Sequence, residues 1–145
     1  MRSVLLLRIA SALTFIHAVL HTIGGVFGKT DPGPASVAVD AMKANEFLWQ
    51  GHMHSFWAFY RGLGLGITVS LTMEAIVMWQ LSSLAREDVR RLRPILLTFA
   101  LGYVVLAVNS NTYFFIGPVI VEILIAACLV GACFSTRPPA LEHAS

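Results

Sequence analysis

The chain has 145 residues, 57% of them hydrophobic and 12% charged, with a mean hydropathy of +0.74. Soluble domains carry about 25% charged residues, so this composition excludes an ordinary soluble globule and indicates a single-domain integral membrane protein. The formal net charge of +2 is too small to suggest a nucleic-acid partner, and the arginines are grouped by chain position rather than in a binding stripe.

Residues 4–27 form the first apolar span, with Arg2 and Arg8 near its start and no acidic residue inside it. Its apolar length exceeds the roughly 7–15 residues of a signal-peptide core, so it is read as a retained span. Gly28 to Pro34 is a turn cluster. Ala35 to Trp49 then predicts a short interfacial helix capped by Ser36, with Val37, Val39, Met42, Phe47 and Leu48 on its apolar face. The second span, about residues 55–81, is longer than the roughly 20 residues needed to cross a bilayer. It carries Arg61 to membrane depth, where an unpaired guanidinium costs at least ~2.5 kcal/mol. Trp49, Trp57 and Tyr60 stand where an aromatic belt is expected at the mouth of this span.

Ser83 to Arg93 reads as a short charged loop, Pro94 opens a third span over 94–108, Asn109-Ser110-Asn111 makes a tight turn, and the fourth span covers 113–134. The tail 135–145, with Pro138-Pro139, is polar. The expected fold is all-α: an integral membrane four-helix bundle, up-down-up-down, with an interfacial helix in the first outer loop. Arg2, Arg8, Arg86, Arg90, Arg91, Arg93 and Arg137 fall on one side and Lys29 and Lys43 on the other. The positive-inside rule then predicts a multi-pass protein of the bacterial inner (cytoplasmic) membrane with both termini in the cytoplasm.

At ~1.5 Å of rise per residue, His17, His21, Arg61 and Glu122 all fall in the outer half of the membrane. His17 and His21 share one helix face, as do His54 and Arg61. Ionisable groups at this depth are functional candidates by default. His21, Arg61 and Glu122 are therefore the expected catalytic residues, with His17, His54, Trp57, Tyr60, Asn109 and Tyr113 as the expected ligand-binding residues. Arg61 is expected to pair with Glu122, Arg8 with Glu74, and a cavity is expected among His17, His21, His54, Arg61 and Glu122. Structural alternatives stand beside these readings. The histidines can serve as core residues that hold helices together, and a buried Arg–Glu pair is weak evidence even for stability. Gly62, Gly64 and Gly66 read as a close helix-packing face. Cys128 and Cys133 read as small packing residues.

A metal or haem is a further option. His17 and His21 have the spacing that lets two imidazoles share an ion, and His54 offers a ligand from the next element. If His52 and His54 open a helix, their rings point about 200° apart, so only one of them can join.

His-Ala-Val-Leu-His-Thr-Ile-Gly-Gly in the first span and Gly-His-Met-His-Ser-Phe-Trp-Ala-Phe-Tyr-Arg-Gly-Leu-Gly-Leu at the second resemble small uncharacterised bacterial four-span membrane proteins that are broadly DoxX-like. The resemblance implies a four-helix bundle in the inner membrane and a link to quinones or other lipid-soluble small molecules. It carries over no catalytic residue. Three functions stay open. One is binding of an amphiphilic small molecule such as a quinone, isoprenoid or sterol-like lipid, with proton-transfer chemistry of the isomerase or redox kind if it is an enzyme. Another is haem or metal electron transfer. The third is an accessory subunit of a larger membrane complex or a homo-oligomer.

Overall fold

The computed structural model describes residues 2–135, so the tail expected from residue 135 onward lies, Ser135 excepted, outside the described residues. The elements run α1 (Arg2–Leu20, continued by a π-helical turn, His21–Val26), α2 (Pro34–Ala44), β1 (Glu46–Trp49), β2 (His52–Ser55), α3 (Phe56–Tyr113) and α4 (Ile116–Phe134). The chain is mostly helical, and three of its helical stretches, 2–26, 56–113 and 116–134, are long and apolar enough to cross a membrane. It divides into two compact units, Met1–Thr14 with Glu74–Ser145, and Phe15–Met73.

The first unit contains the core. Leu7 and Ala10 of α1, Met78, Leu81, Ala85, Leu96, Ala100 and Tyr103 of α3, and Ile125, Ala126, Leu129, Ala132 and Cys133 of α4 pack into one buried cluster. The buried positions Leu96, Ala100, Tyr103, Ala107 and Ser110 recur at alternating spacings of four and three, which places them on one helical face. Small and hydroxyl side chains predominate among the buried positions, whereas large apolar ones such as Leu5, Ile9, Leu97, Leu101 and Ile123 point outward. That inversion of the soluble pattern suits helices that approach closely inside and meet hydrocarbon outside.

α3 is not one straight rod. Asp88 leaves helical geometry (φ −152°, ψ 99°), and its carboxylate accepts the Arg90 backbone N–H at 2.9 Å, capping a new helical arm. Tyr103, beyond Asp88, donates to Glu74, before it, at 2.7 Å, so the two arms fold back on each other. The second arm also runs antiparallel to α4: Ser110 meets Glu122 near one end, and Arg93 meets the Cys133 carbonyl near the other.

Several boundaries differ from the sequence reading. The expected loop from Ser83 to Arg93 stays helical on both sides of Asp88, because a single capped residue is enough to turn the chain. Pro94 therefore lies inside the second arm rather than at its start. Asn109-Ser110-Asn111 is helical, since Ser110 is buried against Glu122; the turn comes later, at Phe114 and Phe115. Pro118 then falls in the first turn of α4, where its missing N–H costs nothing.

The second unit holds the remainder of α1, α2, the hairpin and the start of α3. The expected interfacial helix is shorter than the pattern suggested: α2 starts with Pro34 at its first position and ends at Asn45, whose side chain donates to the Ala41 carbonyl at 2.7 Å. Ser36 does secure the start, but from inside the first turn, by accepting from Gly33 N (3.2 Å) and donating to Gly33 O (2.8 Å). Phe47, Leu48 and Trp49 belong instead to β1, paired antiparallel with β2 in the register Phe47↔His54 and Trp49↔His52. Gln50 and Gly51 close the hairpin with φ of 49° and 84°. Two positive φ values define the two-residue turn whose twist matches paired strands. Ser55 accepts from Ala58 N at 3.2 Å and so caps α3.

Replacing Asp88 by Ala removes the cap of the second arm, and the expected loss is about 1 kcal/mol. A lower unfolding midpoint in detergent, with faster amide exchange at Arg90, is the result to look for.

Candidate functional site

In the second unit, α1 and α3 are tied together by polar groups of His21, Thr22, Gly64 and Thr68. The His21 Nε2 lies 3.0 Å from the Gly64 carbonyl. A carbonyl only accepts, so Nε2 carries a proton, and in a neutral ring that makes Nδ1 the acceptor. One residue on, the Thr22 hydroxyl donates to Ala18 O at 2.6 Å and lies 2.9 Å from the Thr68 hydroxyl, which reaches Gly64 O at 3.2 Å. The backbone of α1 loosens at this point into the π-helical turn, with Phe27 N donating to Thr22 O at 3.0 Å. Single π turns of this kind often occur at functional sites.

Two glycines shape the same place. A Cβ on Gly64 would lie 2.9 Å from Val26 Cγ2, and one on Gly25 would lie 3.4 Å from the His21 ring. Of the three glycines expected to pack, only Gly64 is in close contact, while Gly62 and Gly66 face open space. The reason is rotational: helical period puts Gly64 on a different face from its neighbours two residues away.

His17 and Arg61, both on the long helices of this unit, make no side-chain hydrogen bond among the described residues. Nδ1 of His17, one turn below His21, is buried and has no partner among the described residues. The Arg61 guanidinium lies over the Phe27 ring, 4.7 Å from its centroid, and makes no hydrogen bond or ion pair among the described residues. The aromatic contact supplies part of what such a cation needs and leaves its planar donors free.

Arg8 and Glu74, which belong to one unit, do not form the expected ion pair, and Arg61 and Glu122 fall in different units, each with contacts of its own. Each member finds another partner. Glu122 is buried on α4 and accepts from the Ser110 hydroxyl at 2.9 Å, while its Oε2 has no partner among the described residues. Glu74 accepts from Tyr103, and the Arg8 guanidinium lies 4.9 Å from the centroid of Trp79. These contacts meet each charge only in part: Arg8 Nε, Glu122 Oε2 and the Arg61 guanidinium donors have no hydrogen-bond partner among the described residues.

His52 and His54 occupy a strand, not a helix start, so they share one face rather than diverging, with ring centroids 6.3 Å apart. His54 also meets Phe59 edge-on at 5.7 Å. No group of three or more His, Cys, Asp or Glu side chains gathers among the described residues, so His17, His21 and His54 do not assemble a metal site. Trp57 stacks on Tyr60 at 5.4 Å with the Lys43 ammonium over Trp57. Asn109 and Tyr113 are both exposed on α3.

One cavity of about 730 Å³ lies at the Asp88 corner, and another of about 400 Å³ lies beside α2, where Trp57 is its one expected site residue. Neither is bordered by His17, His21, His54, Arg61 or Glu122.

The sequence reading missed a buried relay in the first unit. Thr14 lies 3.1 Å from the Tyr103 hydroxyl, which in turn donates to Glu74 at 2.7 Å. Because the single tyrosine proton is committed to the carboxylate, Thr14 donates to Tyr103. Ser11 adds a bond to the Ala75 carbonyl at 2.7 Å. The available signal was the recurrence of polar residues among small ones on each span's inner face. A scan of protein-family models finds no match to this chain, and searches of curated proteins and of solved structures find none.

Two substitutions test this geometry. Tyr103→Phe keeps the ring and breaks the relay, with an expected cost of about 0.6–1.7 kcal/mol in a membrane-like environment. Gly64→Val collides with Val26 and separates His21 from the Gly64 carbonyl; the imidazole resonances of His21 should lose the signature of a donated Nε2 proton.

Proposed function

We propose that the protein is a four-span inner-membrane protein that binds an amphiphilic, lipid-soluble small molecule at the polar face of its second unit. The reading rests on one observation: an arginine within an apolar helix whose guanidinium donors have no protein acceptor among the described residues. A free guanidinium at this depth requires an oxygen-bearing partner, and the polar end of a quinone, isoprenoid or sterol-like lipid offers one. The unpartnered His17 nitrogen, a donor or an acceptor according to its tautomer, and Nδ1 of His21 add two polar contacts for a hydroxyl or carbonyl headgroup. If the bound molecule is also converted, His21 is placed to move a proton and Arg61 to stabilise developing negative charge. Glu122, with one carboxylate oxygen free, is a second acid/base candidate in the first unit. The DoxX-like resemblance of the two histidine-bearing stretches belongs to this same proposal.

Two helical arms meeting at Asp88, each long enough to cross a bilayer, support four crossings in place of three, with the arginine-rich corner in the cytoplasm.

Two outcomes are expected. Organic extraction of protein purified in mild detergent should yield a lipid-soluble compound in near-stoichiometric amount, and Arg61→Ala should retain less than about a tenth of it, the loss corresponding to one charge-assisted hydrogen bond. An unchanged extract from Arg61→Ala refutes the site. Separately, a cysteine at Ser83, with Cys128 and Cys133 replaced by Ala, should react with an impermeant thiol reagent only after lysis. Labelling of intact cells reverses the orientation.

A further inference from the structure

The cavity at the Asp88 corner belongs to the first unit and is distinct from the histidine-bearing face. Five arginines line it, Arg2 and Arg8 from α1 and Arg86, Arg90 and Arg93 from α3, against two acids, Glu87 and Asp88. The Asp88 carboxylate is already engaged by the Arg90 backbone N–H and the Arg91 side chain. Among the arginines, Arg93 spends only its Nε, on the Cys133 carbonyl at 2.9 Å. Arg8 has a buried Nε with no hydrogen-bond partner among the described residues, and the side chains of Arg2 and Arg90 make no hydrogen bond or ion pair among them. Several guanidinium groups therefore border one hollow with donors to spare.

Solvated arginines on an inner membrane face would satisfy the positive-inside rule without a cavity. Here they surround a volume of about 730 Å³, within the roughly 300–1,000 Å³ of small-molecule sites. Part of the same wall is apolar, with Leu5 at 59% exposure. Guanidinium groups pair bidentately with phosphate oxygens, and a basic pocket between helices at the membrane surface with an apolar rim suits a phosphate borne on a lipid.

We propose that this cavity binds a phosphate ester, the headgroup phosphate of an anionic membrane lipid being the form that also uses its apolar wall. The site is independent of the proposed Arg61 ligand, so either can fail without the other.

The test uses the full chain in nanodiscs of phosphatidylcholine doped with phosphatidylglycerol, with retained lipid counted by native mass spectrometry after transfer to neutral detergent. Phosphatidylglycerol should be retained in preference to phosphatidylcholine. Arg90→Gln should weaken that retention about fivefold, as expected for one arginine near the surface. Arg91→Gln removes the same charge from a residue outside the cavity and should change it less than twofold. Competition by millimolar inorganic phosphate assigns the site to soluble phosphate esters and upholds the phosphate chemistry; lack of competition assigns it to the lipid. Equal effects of the two substitutions reduce the binding to diffuse charge and overturn the site, as does retention that does not discriminate between the two lipids.

Discussion

Inside an apolar span there is no solvent to accept or donate a hydrogen bond, so each polar group must be satisfied by the protein or by something bound to it. The first unit meets this demand largely from within. Thr14, Tyr103 and Glu74 form a donor chain across three helical segments, Ser11 reaches a carbonyl of the adjacent helix, and Ser110 serves Glu122. These contacts require close backbones, which fits the many alanines and serines on the buried faces, beside a few leucines, while most leucines and isoleucines point outward. The polar stripe thus sets the packing as much as the apolar residues do.

The second unit meets the same demand incompletely. His21, Thr22 and Thr68 converge on the Gly64 carbonyl, and the absence of a side chain at Gly64 lets Val26 come close enough to hold them there. His17 and Arg61 are outside that arrangement and keep unused polar atoms. Their position beside a π-helical turn and a glycine pair also places them where α1 departs from regular geometry.

The Asp88 corner combines three roles in a few residues. The carboxylate ends one helical arm and caps the next, its second oxygen meets Arg91, and the arginines around it line a cavity. The same cluster of positive charge leaves the guanidinium groups of Arg2 and Arg90 and the Nε of Arg8 without acceptors among the described residues.

Composition and hydropathy alone determined that this is a helical chain with segments long and apolar enough to cross a membrane. The candidate value of His17, His21, Arg61 and Glu122 was legible for the same reason: charge in an apolar run stands out whatever the fold. What the linear pattern could not decide was pairing. Arg61 was matched with Glu122 by depth, whereas each has its contact within its own unit, Arg61 on the Phe27 ring and Glu122 with the Ser110 hydroxyl. Nor did it give the hairpin: His52 and His54 alternate within a short segment that also fits the start of a helix, and only pairing with β1 across Gln50-Gly51 selects the strand and puts both rings on one face. The Asp88 corner and the late turn at Phe114 were likewise decided by tertiary structure, because a helix continues through polar residues wherever packing or a cap satisfies them and stops only where neither does.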